Sequence, residues 1–215
     1  MFAHHLRGIA PALLLAIAAP AGAQIVANGG FEQPVAANSI TGTTSIPGWT
    51  ASSGDFEIIT SAYWQPHSGN QSIDLNGITP ATIFQDLATE VGATYQLSFW
   101  MAGNPDAAGD KSLNVLWGGA NVGSFTFVQA GATRSNMLWQ LMTTGTLTAT
   151  SSTTRLAFQS TTTATPSGGP ALDDVSVTLL AGPPINSTVP EPSTYVMFAT
   201  GLVALGGIAR RRRSA

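Results

Sequence analysis

Cysteine is absent from this 215-residue chain. That excludes disulfides, zinc–thiolate centres, iron–sulfur clusters and a thiol nucleophile together. Charge is also scarce: Asp, Glu, Lys and Arg make up 9% of the residues, against about 25% in an ordinary soluble domain. Basic side chains are rarest in the middle. Arg7 and Arg210, Arg211, Arg212 and Arg213 lie at the ends, which leaves Lys111, Arg134 and Arg155 between Gln24 and Pro190. The same stretch holds ten acids, so its formal charge is −7 where the whole chain has −3. Nucleic acid is excluded as a partner, because neutralising phosphates takes clustered Lys and Arg. His67 is the one histidine of that stretch. Set between Pro66 and Ser68, it reads as a loop residue rather than a catalytic base. No Gly-x-Ser-x-Gly elbow, His-Glu-x-x-His, phosphate loop or dinucleotide fingerprint is found.

What is present suits strands. Hydrophobic residues reach 44%, with 23 Gly and 13 Pro. Between the two ends the apolar pattern has period two, and no amphipathic helix of three turns can be drawn. Tyr95, Leu97, Phe99 and Met101 alternate with polar or outward neighbours, as do Leu113, Val115 and Trp117. Further runs cover 56–60, 72–75, 81–87, 122–128, 137–149, 155–159 and 175–179. Turn signals separate them, among them Pro47-Gly48, Asn76-Gly77, Gly103-Asn104-Pro105 and Gly118-Gly119. Nine or ten short strands at this spacing predict an all-β, antiparallel jelly-roll β-sandwich over residues 24–181. Trp49, Trp100, Trp117 and Trp139 lie on or near these runs and read as packing residues.

The two ends read as addresses. Residues 1–23 combine Arg7, an apolar run at 9–19 too short for a bilayer, and Ala21-Gly22-Ala23. This is the pattern of a secretory signal peptide cleaved before Gln24; the competing reading is a retained N-terminal anchor. After a stiff linker at 182–189 come Pro190-Glu191-Pro192, an apolar segment at 195–209, and four arginines at 210–213. Fifteen helical residues span roughly 22 Å, short of a hydrocarbon core of about 30 Å. Extending the helix to Ser193 and letting the arginines snorkel recovers part of the difference. The arginines hold the cytoplasmic side, so the sandwich faces outward.

This tripartite end resembles the PEP-CTERM sorting signal of Gram-negative bacteria. The resemblance implies that Pro190, Glu191 and Pro192 are recognised by exosortase, a membrane-embedded cysteine transpeptidase-like enzyme. Residues 195–209 would then be a transient transmembrane anchor. A permanent tail anchor is the alternative. The body has its own ordered phrases: Asn28-Gly29-Gly30-Phe31-Glu32, Ile46-Pro47-Gly48-Trp49, Ser72-Ile73-Asp74-Leu75-Asn76-Gly77, Ile83-Phe84-Gln85, Tyr95-Gln96-Leu97-Ser98-Phe99 and Leu172-Asp173-Asp174-Val175. Together they resemble the choice-of-anchor C proteins, whose galactose-binding-like domain is shared with a plant cell-wall family and, more distantly, with carbohydrate-binding modules.

The same resemblance implies a structural calcium where the Asn-Gly-Gly-Phe-Glu segment meets the last strand, with Glu32, Asp173 and Asp174 as ligands. Calcium takes six to eight oxygens. Asp173 shares parity with Val175 and Val177, so it is expected to point inward with a metal or backbone amides to compensate it. A sugar platform is expected in the loop Tyr63-Trp64-Gln65-Pro66-His67, where Tyr63, Trp64 and His67 supply aromatic and polar contacts. No catalytic residue is assigned. Acid pairs such as Asp55 with Glu57 and Asp106 with Asp110 occur at spacings that arise by chance.

The resulting expectation is a non-catalytic, polysaccharide-associating protein. It passes the secretory translocon and signal peptidase, crosses the inner membrane, and is anchored transiently. Exosortase then processes it to the cell surface or extracellular matrix. The alternatives are a secreted glycan hydrolase and a surface adhesin for protein partners.

Overall fold

A computed structural model describes residues 24–184. The expected signal peptide at 1–23, the motif Pro190-Glu191-Pro192, the apolar segment and most of the expected linker lie outside the described residues. The described residues hold strands and no helix. In chain order the strands are β1 (Ile40–Thr43), β2 (Ser45–Ile46), β3 (Trp49–Ser53), β4 (Phe56–Thr60), β5 (Gln71–Asp74), β6 (Thr82–Ala88) and β7 (Thr94–Gly103). They continue with β8 (Lys111–Trp117), β9 (Ala120–Phe127), β10 (Gln140–Thr143), β11 (Leu147–Thr148), β12 (Thr153–Ser160) and β13 (Pro170–Ala181).

They form two antiparallel sheets. One has the order β1-β4-β5-β13-β7-β10, with β11 also paired to β7; the other runs β2-β3-β6-β12-β8-β9. Strand alternation places one face of each sheet inward. In β7 the inward set is Tyr95, Leu97, Phe99 and Met101, all buried, as the period-two pattern predicts. A chain of aromatic contacts crosses the core from Phe31 to Trp49 (5.5 Å), to Phe158 (5.9 Å) and to Phe99 (5.0 Å, edge-on). These four rings come from the N-terminal segment, β3, β12 and β7, so burying them joins the two sheets.

The structure departs from the periodicity in three places. Residues 40–53, too rich in Thr and Ser to show an apolar alternation, form β1, β2 and β3. The run at 137–149 divides into β10 and β11, because Thr144 turns away after its amide reaches the Leu97 carbonyl. The last strand begins at Pro170, five residues earlier than the pattern at 175–179 indicates.

The third departure moves Asp173. Asp173 pairs with Trp100 and Ser176 with Ser98, so β13 carries one residue more than β7 over this interval. The extra residue is a bulge, with Asp174 at a φ of 47°. A bulge inverts the alternation beyond it. Leu172, Val175 and Val177 therefore face the core, while Asp173 faces the outer side of the sheet beside Trp100. Asp173 is fully buried nonetheless, beneath the loop that joins β4 to β5.

Candidate functional site

The loop at 61–70 is folded back over the outer face of the seven-stranded sheet. Trp64 is its plug. The indole is 1% exposed and its Nε1–H donates to Ser72 Oγ at 2.8 Å. Trp64 therefore offers no face to a sugar; a large ring with one polar handle packs best where the handle finds a buried partner.

His67 is a second fastening. Its ring stacks on Trp100 at 3.7 Å and 16°, and its Nδ1 lies 2.6 Å from Asp174 Oδ2. Asp173 takes the amide hydrogens of His67 and Ser68 on Oδ2 and that of Asp174 on Oδ1. Glu32 Oε1 takes those of Asn70 and Gln71 at 2.8 and 3.0 Å. Burial is the largest influence on Asp173 and pushes its pKa up to about 8, against the pull of those amides.

Asp173 and Asp174 meet at Gly30, where an added Cβ would lie 3.3 Å from Asp174 Oδ1 and 4.0 Å from Asp173 Oδ1, while Glu32 passes Gly30 with its Cγ and carries its carboxylate to the Asn70 and Gln71 amides. Gly29 permits the approach: its own Cβ would fall 2.1 Å from the Val175 carbonyl oxygen. The oxygens, however, face N–H and O–H donors. Asp174 Oδ1 accepts from the Ser68 hydroxyl at 2.8 Å, and both Asp173 oxygens are taken by amides. A calcium ion needs six to eight oxygens aimed at it, and N–H dipoles repel it. Among the described residues no group of three or more His, Asp or Glu is arranged to hold a metal. As folded, these donors fit the loop and not a cation.

The open part of this face is a cleft of about 390 Å³ beside Tyr63. β4 alternates Phe56 and Ile58 into the core, which leaves Glu57 and Ile59 on the cleft side. Asn104 and Asp106 reach it from the end of β7, and Ser39 and Thr41 from β1 and the residue before it. Tyr63, 41% exposed, forms a wall. A second hollow of about 370 Å³ lies against Tyr63, lined also by Gln65, Pro66 and Arg134.

Tyr63 is held in place. Its hydroxyl donates to Asp106 Oδ2 at 2.8 Å and accepts from Arg134 Nη2 at 2.9 Å. Arg134 grips Asp106 with Nε and Nη2, and its guanidinium lies 4.2 Å from the Tyr63 ring centre. Arg134 holds the Asp106 carboxyl below the usual carboxylate range, and the bond to Asp106 raises the Tyr63 hydroxyl. Burial raises Glu57, which the Thr41 hydroxyl opposes and Asp55 reinforces.

The pairings suggested by sequence spacing are not those of the fold. Asp55 is committed to the Ile78 amide and the Thr79 hydroxyl, and Asp110 to the Gln129 amide. Glu57 and Asp106, 49 positions apart, line one cleft instead. Arg134 carries no local signal at all; it is recognisable only once β7 and the loop before β10 are placed together.

The comparisons with known proteins agree with this architecture. The CBM22 tandem domain of Xyn10C from Paenibacillus barcinonensis superposes with a TM-score of 0.52 at 19% identity, over 80% of this chain and 49% of that one. A Stig cyclase from Fischerella sp. TAU superposes with a TM-score of 0.50 at 17% identity, over 75% of this chain and 99% of that one. A module and a cyclase sharing one sandwich leave activity to be argued from the site. In sequence, the chain is 29% identical over 176 residues to Halomucin from Haloquadratum walsbyi; this is 79% of the chain and about 2% of that relative's length. Residues 188–213 match the PEP-CTERM protein-sorting motif. Residues 24–178, almost the whole sandwich, match the family described as Protein of unknown function (DUF642), and the chain belongs to that family.

Proposed function

We propose that this chain is an exported, exosortase-processed protein of the cell surface or extracellular matrix, whose sandwich holds a polysaccharide segment without cleaving it. The cleft beside Tyr63 carries the reading. It joins one half-exposed ring, fixed by Asp106 and Arg134, to the planar carboxylate of Glu57 and the hydroxyls of Ser39 and Thr41. Sugars are held by such pairs of an apolar face and directed hydrogen bonds.

The non-catalytic part rests on the acids. Glycoside hydrolysis uses two carboxyl groups, one giving and one taking a proton or attacking the sugar. Asp106 is tied to Arg134 and Tyr63, which leaves Glu57 without a second working acid on the cleft wall. Binding of xylo-, cello- and chito-hexaose to the full chain tests the assignment. Tyr63→Ala is expected to weaken the best binder about tenfold, the loss of one contact aromatic. Equal affinity in wild type and Tyr63→Ala would remove the cleft as the site.

Processing rests on residues 188–213. Replacing Pro190, Glu191 and Pro192 by alanine is expected to leave full-length chain in the membrane fraction of a host with exosortase. A shortened, released product formed by the triple variant as fast as by wild type would contradict it.

A further inference from the structure

The lysine and both arginines of the described sandwich are engaged within the fold, and none of them lines the cleft. Arg134 is bidentate on Asp106. Arg155 is bidentate on Asp86, at 2.7 and 2.8 Å, with its guanidinium 3.7 Å from the Phe84 ring centre. Lys111 is buried, its ammonium donating to the carbonyls of Ala107 and Ala108. These are all the basic side chains from Gln24 to Pro184.

The cleft has the opposite imbalance. Glu57 projects into it from β4, and among the described residues no basic group pairs with it. Asp74 stands opposite Glu57 in the β4–β5 pair, and Asp55 lies two residues before it. Asp106, across the cleft, spends its charge on Arg134. A half-buried carboxylate in an acidic frame is costly to keep ionised, and a single hydroxyl from Thr41 is the relief the fold supplies. An incoming cation would be stabilised by Glu57 and, at longer range, by Asp55; Asp74, fully buried and raised to about 7, is mostly protonated at pH 6 and adds little.

We infer that the cleft selects a polysaccharide carrying free amines, a deacetylated hexosamine segment whose ammonium pairs with Glu57 while its ring lies along Tyr63. The inference deepens the polysaccharide reading and rests on it. A uronate or sulfated glycan is disfavoured in this cleft, since its anion would meet Glu57 there, and the exposed side of Arg134 lines the neighbouring hollow rather than the cleft.

The test uses three probes on the full chain at pH 6 and low salt: a glucosamine hexamer, its N-acetylated counterpart and an oligogalacturonate hexamer. The amine form is expected to bind about tenfold more tightly than the acetylated one, a typical margin for a partly buried charge pair. Glu57→Gln is expected to erase that margin and keep binding of the acetylated form. Glu90→Gln, which neutralises an exposed acid outside the cleft, is expected to preserve the margin, separating a specific pair from diffuse attraction to an acidic body. Equal affinity for the two forms, with dependence on Tyr63 intact, overturns the amine assignment and leaves the polysaccharide reading standing. Preference for the amine that survives Glu57→Gln overturns the role of Glu57. Failure of wild type to bind the amine form overturns the amine assignment; failure to bind the xylo-, cello- and chito-hexaose probes as well overturns both readings.

Discussion

Replacing Trp64 by alanine is expected to cost the sandwich about 3–5 kcal/mol and to free the 61–70 loop from the sheet. The indole is fully enclosed between that loop and β5, so truncation leaves a cavity and strands the Ser72 hydroxyl. The loop has other ties, the His67 ring stacked on Trp100 and hydrogen bonds to Asp173, Asp174, Glu32 and Trp139, but the hydrogen bonds lie beneath or beside the plug and are sheltered by it. Without the ring they become open to water and lose most of their net worth. Urea unfolding of the full chain reads the change as a lower midpoint. Trp64→Phe keeps most of the packing and loses the bond to Ser72, and is expected to cost about 1 kcal/mol. The same variant separates support from recognition: glycan affinity should survive it. An alanine variant within about 0.5 kcal/mol of wild type, the range of ordinary surface changes, would show that the ring is not a plug.

The second large effect is a stability that declines with rising pH. Asp74 is fully buried at the end of β5. Burial raises its pKa to about 7, outweighing the amides of Asn76 and Gly169 and the Asn104 side chain, which favour the charged form. The charged groups facing it are Glu57, which raises it further, and Lys111, itself lowered by burial. A carboxyl with a raised folded pKa binds its proton more tightly in the native state than in the unfolded chain. The stabilisation is therefore complete below pH 3.8 and is lost as pH rises through 7. The full span is worth at most about 4 kcal/mol, or about 10 °C in Tm for a domain of this size. Thermal unfolding from pH 5 to pH 9 checks it. Asp173, raised to about 8, adds to the decline in the same window, so Asp74→Asn lowers stability at each pH and should lessen the slope while leaving the Asp173 part; a slope unchanged in that variant would assign all of it to Asp173 or another group.

The strands of this fold could be found without coordinates because their signal is local. Alternation in Tyr95, Leu97, Phe99 and Met101 reports one buried face whatever lies across from it. The same reasoning missed β1 to β3, where Thr and Ser on half-covered strands carry no apolar contrast. It also misjudged Trp64. An aromatic in a loop beside Gly and Asn looks available for a ligand until the loop is seen lying on the sheet. His67 is similar: chain position marks it as a loop residue, while its stacking on Trp100 depends on a residue 33 positions away.

The C-terminal sorting motif and the two-layer β architecture were written in linear order, because sorting motifs are read as continuous sequence and period two is a property of each strand alone. The cleft was not. Glu57, Tyr63, Asp106 and Arg134 share no spacing rule and meet only because β4, β7 and their loops end at the same side of one sheet. The direction of Asp173 was likewise decided by pairing: one extra residue opposite β7 turns its carboxylate from the core to the loop, and a bulge has no counterpart in the alternation of a single strand.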